Sequence, residues 1–264
     1  KINYFAINLA NLLKKDVFYI MHGYILYESF INNLTYNKRK TENLIKLEKY
    51  IFKNCKKIFC VSKKFMEYMI EKEPKYSNKF DFNYNGIDID KIEKETRLIR
   101  KEKKKNQIVS IGGGMRQKNN LTVCKAIDIL NSQFGMDLKY IVIGLPYTDK
   151  NEICKYDFVE YYDYLPHDKV LQILGESNLY IQNSSFETFG LAIIEALLSE
   201  CNLLISSNVG VIDLINELED TDIINDADDI YEIANKIRYL LECNNASRIK
   251  DNFEFSKVSL YQTS

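Results

Sequence analysis

No two cysteines in this chain stand at C-x-x-C spacing. Cys55, Cys60, Cys124, Cys154, Cys201 and Cys243 are scattered, which argues against a zinc knuckle or a disulfide scaffold and suits a reducing cytosol. Charge of one sign is also missing: the net charge is −1, so nothing biases the chain toward nucleic acid. No apolar run is long enough to span a bilayer, and no signal peptide is visible at the start. Internal repeats are absent, and the one biased tract is a charged stretch at 91–106. What remains is 264 residues, enough for a large core in one large or two medium domains. The chain opens on Lys1 and runs straight into a helical pattern, so it reads as a fragment whose natural start lies upstream.

Apolar periodicity organises the chain into two arrays. Ile2, Phe5, Leu9, Leu12 and Leu13 recur at helical spacing. Val17–Met21, Lys57–Val61 and Phe80–Tyr84 read as short buried strands, with helices over Lys38–Asn54 and Lys63–Lys72, the latter capped by Ser62. Alternating helix and strand implies a parallel sheet. The stretch after His22-Gly23 carries no clear pattern. Residues 1–90 thus read as a partial domain and 91–106 as a charged linker. Strands are then expected at Gln107–Ile111, Leu138–Ile143, Val159–Tyr164, Leu179–Gln182, Asn202–Ser206 and Asp222–Ile224. Helices are expected at Asn120–Gln133, Asp168–Leu174, Gly190–Ser199, Val211–Asn216 and Asp228–Cys243. This makes 107–245 a complete doubly wound α/β domain. Residues 246–264 read as a helix and tail that return to pack on the first domain.

Ligands of open α/β sheets bind at the carboxyl ends of the strands, and three elements fall there. The first is Gly112-Gly113-Gly114-Met115-Arg116-Gln117-Lys118. Its glycines are expected to leave backbone N–H groups accessible, and Arg116 and Lys118 add positive charge, a combination suited to a diphosphate. The segment has neither the P-loop spacing nor the dinucleotide G-x-G-x-x-G pattern. The bland alternative is a flexible turn with solvated basic residues. The second element is the helix opening at Gly190, whose free N–H groups and dipole favour an anion. The third is Glu195, the one polar side chain between Gly190 and Leu198. A carboxylate in such surroundings is costly unless hydrogen-bonded. Either an internal salt bridge satisfies it, or a vicinal diol such as a ribose does.

Five stretches in order resemble the retaining nucleotide-sugar glycosyltransferases of family 4, which have the GT-B fold. They are His22-Gly23, Ile58-Phe59-Cys60-Val61-Ser62, Asn85-Gly86-Ile87-Asp88, the glycine-rich loop ending in Arg116 and Lys118, and Glu187-(x)7-Glu195. The resemblance implies two Rossmann-like domains, the first incomplete here because the family's first strands and their glycine loop have no counterpart. It further implies that Glu195 accepts hydrogen bonds from the nucleotide ribose and that Glu187 contacts the donor sugar. Backbone N–H groups of Phe189, Gly190 and Leu191 would meet the sugar or diphosphate. Gly113, Gly114, Arg116 and Lys118 would hold the diphosphate, and His22 would reach the sugar from the first domain. His167, after Pro166, reads as structural. One departure stands out: many members carry Arg where this chain has Gly113, and Arg116 would have to substitute.

The implied reaction needs no metal and no cofactor beyond the nucleotide-diphosphate sugar. Asp88-Ile89-Asp90 mimics a metal-binding D-x-D, but Asp88 belongs to the Asn-Gly-Ile-Asp turn. The acceptor would be a glycan, a lipid-linked sugar or a protein. Lys38, Arg39, Lys40, Lys53, Lys56, Lys57, Lys63 and Lys64 could touch anionic lipid from the cytoplasmic side, although a solvated face is the simpler reading. Two other readings stand: a non-catalytic nucleotide-sugar-binding partner of another transferase, and another GT-B enzyme such as a sugar epimerase.

Overall fold

The computed structural model describes residues 2–32, 38–99 and 102–260. Arg100 and Lys101 of the charged run, and residues 261–264 of the expected tail, lie outside them. The chain divides into two compact units, Lys1–Asn85 and Gly86–Ser264.

The first unit runs α1 (Ile2–Leu12), β1 (Phe18–Met21), α2 (Ile25–Ile31), α3 (Lys38–Asn54), β2 (Lys57–Cys60), α4 (Lys63–Lys72) and β3 (Phe80–Phe82). The strands form a parallel sheet in the order β1-β2-β3. Register puts Met21 beside Cys60, and Ile58 beside Phe80. All four are buried, so one face of the sheet is core. Ser62 caps α4 as its sequence position implies, its Oγ accepting from Phe65 N at 3.0 Å. The patternless stretch after His22 is helical because a distant residue anchors it: Ile25 N donates to Glu48 Oε1 at 2.9 Å. Local periodicity could not announce that bond.

The second unit runs α5 (Ile89–Leu98), β4 (Lys104–Ile111), α6 (Asn120–Phe134), β5 (Lys139–Ile143), α7 (Lys150–Ile153) and β6 (Val159–Tyr162). It continues with α8 (His167–Glu176), β7 (Ser177–Gln182), α9 (Leu191–Leu198), β8 (Asn202–Ser206), β9 (Ile223–Ile224), α10 (Ile230–Glu242) and α11 (Ala246–Asp251). Much of the charged run read as a linker is α5, which groups with this unit. Asp88 caps it, accepting from Lys91 N at 3.0 Å, and Glu93 pairs with Arg97 one turn on. Ile92 gives α5 a buried anchor. Residues 246–260 also group with the second unit. The helix expected at Val211–Asn216 is a short 3-10 turn over Gly210–Leu214.

The six strands are all parallel, in the order β6-β5-β4-β7-β8-β9. Helix α9 is held on the sheet by Ile193, Ile194, Ala196 and Leu197, each fully buried; the larger of these stabilise by about 1.5–3 kcal/mol apiece. Its far end is tied by Lys103, whose Nζ donates to Ser199 O at 2.9 Å and also to Leu174 O and Ser177 O. That is the favourable place for a cation, at the carboxyl ends of α8 and α9.

Glu48 is a point of pH sensitivity. It is 3% exposed, its Oε2 has no hydrogen-bond partner, and burial pushes its carboxyl up to about 7. An acid held above its ordinary value of 4.5 keeps its proton in the fold after the unfolded chain has lost it. Stability should therefore fall as pH rises from about 4.5 to about 7, and this contribution should be flat above. Glu48→Gln should remove this fall, worth up to about 3 kcal/mol. Urea titrations of both proteins at about pH 5 and about pH 8 check it; the same slope in the variant would contradict the assignment.

Candidate functional site

The strand order reverses between β4 and β7, with β5 and β6 on one side and β8 and β9 on the other. In such sheets the loops leaving the two central strands part in opposite directions and open a crevice at their carboxyl ends. The loop after β4 is the glycine-rich segment. The loop after β7 leads through Glu187 to Gly190, which turns the chain into α9 at φ 106°.

These loops are bound together. Gln117 is buried, donates from Nε2 to Phe186 O at 2.7 Å and accepts from Ser185 N at 2.9 Å. Next to it, Lys118 and Glu187 form an ion pair with side-chain exposures of only 18% and 15%. Glu187 is itself fixed by backbone bonds, N to Asn208 O at 3.0 Å and O from Gly210 N at 2.9 Å. From below, the hydroxyl of buried Tyr140 lies 2.7 Å from Ser110 Oγ and 3.0 Å from Asn120 Oδ1, and Asn120 Nδ2 donates to Gly113 O at 2.8 Å.

The glycines do something other than expected. Gly112 N and Gly113 N both donate to Ile143 O, at 2.7 and 3.0 Å, and Gly114 N donates to Leu145 O at 3.1 Å. Their amides are engaged with the end of β5 and the loop after it, so this structure does not offer them to a phosphate. What Gly113 supplies is closeness: a Cβ there would strike Leu145 O and the Gly144 backbone. Arg116 is half-exposed, with its Nε 3.5 Å from Asp149 Oδ1. Lys118 is thus the cation that faces the β7 loop.

Helix α9 starts with no side-chain cap, which leaves first-turn N–H groups and the positive end of the dipole at the crevice. Phe189 is buried, and Leu191 is 40% exposed. Leu191, Ala192 and Glu195 are the members of this helix that retain accessible surface. Glu195 therefore lies on the helix's unburied stripe, not within its apolar faces, and keeps 18% of its side-chain surface. Its Oε1 lies 3.0 Å from Nε2 of His167, the first residue of α8. Beneath both carboxylates sits Tyr180, fully buried, whose hydroxyl is held well above its usual range by burial and then by the charges of Glu187 and Glu195.

The second unit by itself brings together Lys118, Glu187, Gly190, Leu191 and Glu195. His22 belongs to the first unit, exposed in the loop that follows β1. Two contributors were not expected, Gln117 and His167. Gln117 lies between two basic residues and shows no signal of its own. His167 carried a weak one, as an imidazole at a helix start on the ligand edge.

A family model described as glycosyl transferases group 1 matches residues 91–253. That is more than half of the chain, and it contains both loops. The chain belongs to the group 1 glycosyl transferases. Solved structures are similar in fold. Anabaena HepE, in complex with UDP and glucose, has a TM-score of 0.65 at 14% identity over 97% of this chain and 72% of that one. Sucrose-phosphate synthase from Thermosynechococcus elongatus has 0.70 at 16% over 98% and 69%. WaaG, a glycosyltransferase involved in lipopolysaccharide biosynthesis, has 0.55 at 14% over 76% and 60%. The shared architecture is the GT-B fold with two parallel-sheet domains. No curated protein sequence matches the chain.

For this group 1 glycosyl transferase, the packing role of Gly113 is open to measurement. Gly113 has φ 60° and a blocked Cβ position, whereas Gly135 has φ 65° with nothing within 4 Å of a built Cβ. Gly135→Ala should cost about 1 kcal/mol from backbone conformation alone. Gly113→Ala should cost roughly 1–3 kcal/mol more, because the loop after β5 must move. Equal losses in denaturant titrations would show that the two loops are not in close contact.

Proposed function

We propose that this chain is a metal-independent, retaining glycosyltransferase of family 4. It would move a sugar from a nucleotide-diphosphate sugar to a glycan, lipid-linked or protein acceptor. The observation that carries the reading is the grouping of Lys118, Glu187 and Glu195 around the uncapped start of α9 at the strand reversal.

Each group has a task that its chemistry suits. Glu195 accepts from the ribose hydroxyls. Before the donor arrives, Lys118 and Glu187 neutralise one another; the diphosphate then takes Lys118, and Glu187 turns to the sugar hydroxyls. Arg116 leaves Asp149 for the diphosphate, and the N–H groups of Phe189, Gly190 and Leu191 complete the anion site. The bond between the anomeric carbon and the diphosphate oxygen breaks, and the oxygen keeps the electron pair. The acceptor oxygen joins the same face and passes its proton to the departing phosphate. Positive charge near the leaving group lowers this barrier most when it is preorganised. His22 contacts the sugar, as the resemblance implies, and basic residues of the first unit meet anionic lipid at the cytoplasmic face. Among the described residues no helix is long and apolar enough to cross a membrane.

Gly113 favours a second reading. With the family's Arg missing and Arg116 beside Asp149, the chain could bind nucleotide-sugars and assist another transferase without catalysing transfer itself.

Thermal-shift screening of UDP-, GDP-, ADP- and CDP-sugars is the first test, since ligand that binds the native state raises Tm. UDP-glucose leads the series because HepE holds UDP and glucose. One nucleotide-sugar should raise Tm, and Glu195→Ala should weaken its binding by roughly 10- to 100-fold. Transfer should persist in chelator, with the donor's anomeric configuration kept in the product. Undiminished binding by the variant, or activity lost to chelator, would overturn the assignment. Binding with no transfer to any acceptor would favour the second reading.

A further inference from the structure

We propose that His167 is a positioning residue for ribose recognition, so that the Glu195–His167 pair, and not Glu195 alone, reads the nucleotide's sugar. The proposal rests on the assignment of Glu195 to the ribose.

Three observations lead to it. The first is the lack, among the described residues, of any other support for the carboxylate. Along α9 its neighbours are apolar, and Ile193, Ile194, Ala196 and Leu197 are turned into the core. No polar side chain of that helix can hold Glu195. The second is the division of labour between the two oxygens. Oε1 meets His167 Nε2 at 3.0 Å, while Oε2 takes no protein hydrogen bond among the described residues. One oxygen is pinned and the other is open to a ligand. A carboxylate oxygen has two acceptor directions, so Oε1 can still serve a second hydroxyl of a vicinal diol. The third is the anchoring of the backbone that carries the imidazole. His167 opens α8, whose first turn is closed by Lys169 N and Val170 N donating to Pro166 O at 3.0 and 3.1 Å.

The consequence follows from conformational freedom. A glutamate on a helix surface has several rotamers, and fixing one of them on binding costs affinity. A hydrogen bond from Nε2–H fixes it in advance. His167 need not touch the nucleotide to do this.

The test is isothermal titration with UDP, GDP and ADP, each beside its 2′,3′-dideoxy analogue, carrying forward the pair that binds the unmodified protein best. The unmodified protein should prefer the ribonucleotide by roughly 10- to 100-fold, the range of one or two hydrogen bonds to a charged group. Glu195→Ala should bring that ratio near one. His167→Ala should lower it most of the way. His167→Gln, whose amide N–H reaches about as far as Nε2, should restore most of it. The double variant should be no worse than Glu195→Ala. Affinity for the dideoxy analogue should stay constant throughout, which shows that each variant is folded and keeps its diphosphate site. If His167→Ala keeps the full ratio while Glu195→Ala loses it, the positioning role is wrong and the ribose assignment stands. If Glu195→Ala keeps the ratio, the ribose assignment itself falls, and this proposal with it.

Discussion

The clasp between the β4 loop and the β7 loop is the constraint on which the ligand edge depends. Lys118 and Glu187 are 69 positions apart in sequence, yet their pairing and the Gln117–Phe186 bond hold the two loops at the strand reversal. An exposed ion pair contributes little to stability. This one is mostly buried, so each member needs the other, and removing one would leave a charge poorly compensated. Under the proposed function that dependence gives the pair a second use. A diphosphate is a strong competitor for the lysine, and a polyhydroxylated sugar is a suitable new partner for the glutamate. The resting pair thus holds both groups at the strand reversal, where the proposed donor chemistry would occur.

Much of the fold was legible because its signals are local. Short runs such as Tyr140–Ile143 and Leu203–Ile205 are apolar enough to be parallel strands buried on both faces. Ser62 and Asp88 stand at helix starts with capping side chains. The alternation of strand and helix then leaves few topologies to consider. The failures have a common cause, which is that the deciding partner lies far along the chain. Helix α2 depends on Glu48. Helix α5 reads as a solvated linker until the burial of Ile92 and the ion pair of Glu93 with Lys250 are seen to tie it to the second unit.

The site was legible in its residue types and less so in its reasons. Glycines 112–114 looked like an open cradle of amides. Those amides are used in joining the β4 loop to the end of β5 and the loop after it, which under the proposed function leaves anion binding to Lys118, Arg116 and the start of α9. Glu195 looked like an energetic anomaly inside an apolar helix. It lies on the helix's open stripe with a histidine beside it, so an internal partner and a ligand are compatible explanations and not rivals. His167 reads as structural in the sequence because its meaning depends on a contact between α8 and α9 that no spacing within either helix encodes.

Hydrogen–deuterium exchange with and without saturating UDP tests most directly whether the nucleotide sits at the strand reversal. Bound UDP should slow exchange in peptides covering residues 112–119 and 187–196, where the clasp and the start of α9 lie. Peptides from the opposite edge of the same sheet should be unaffected. Saturable binding that leaves both of those segments unprotected would contradict the account.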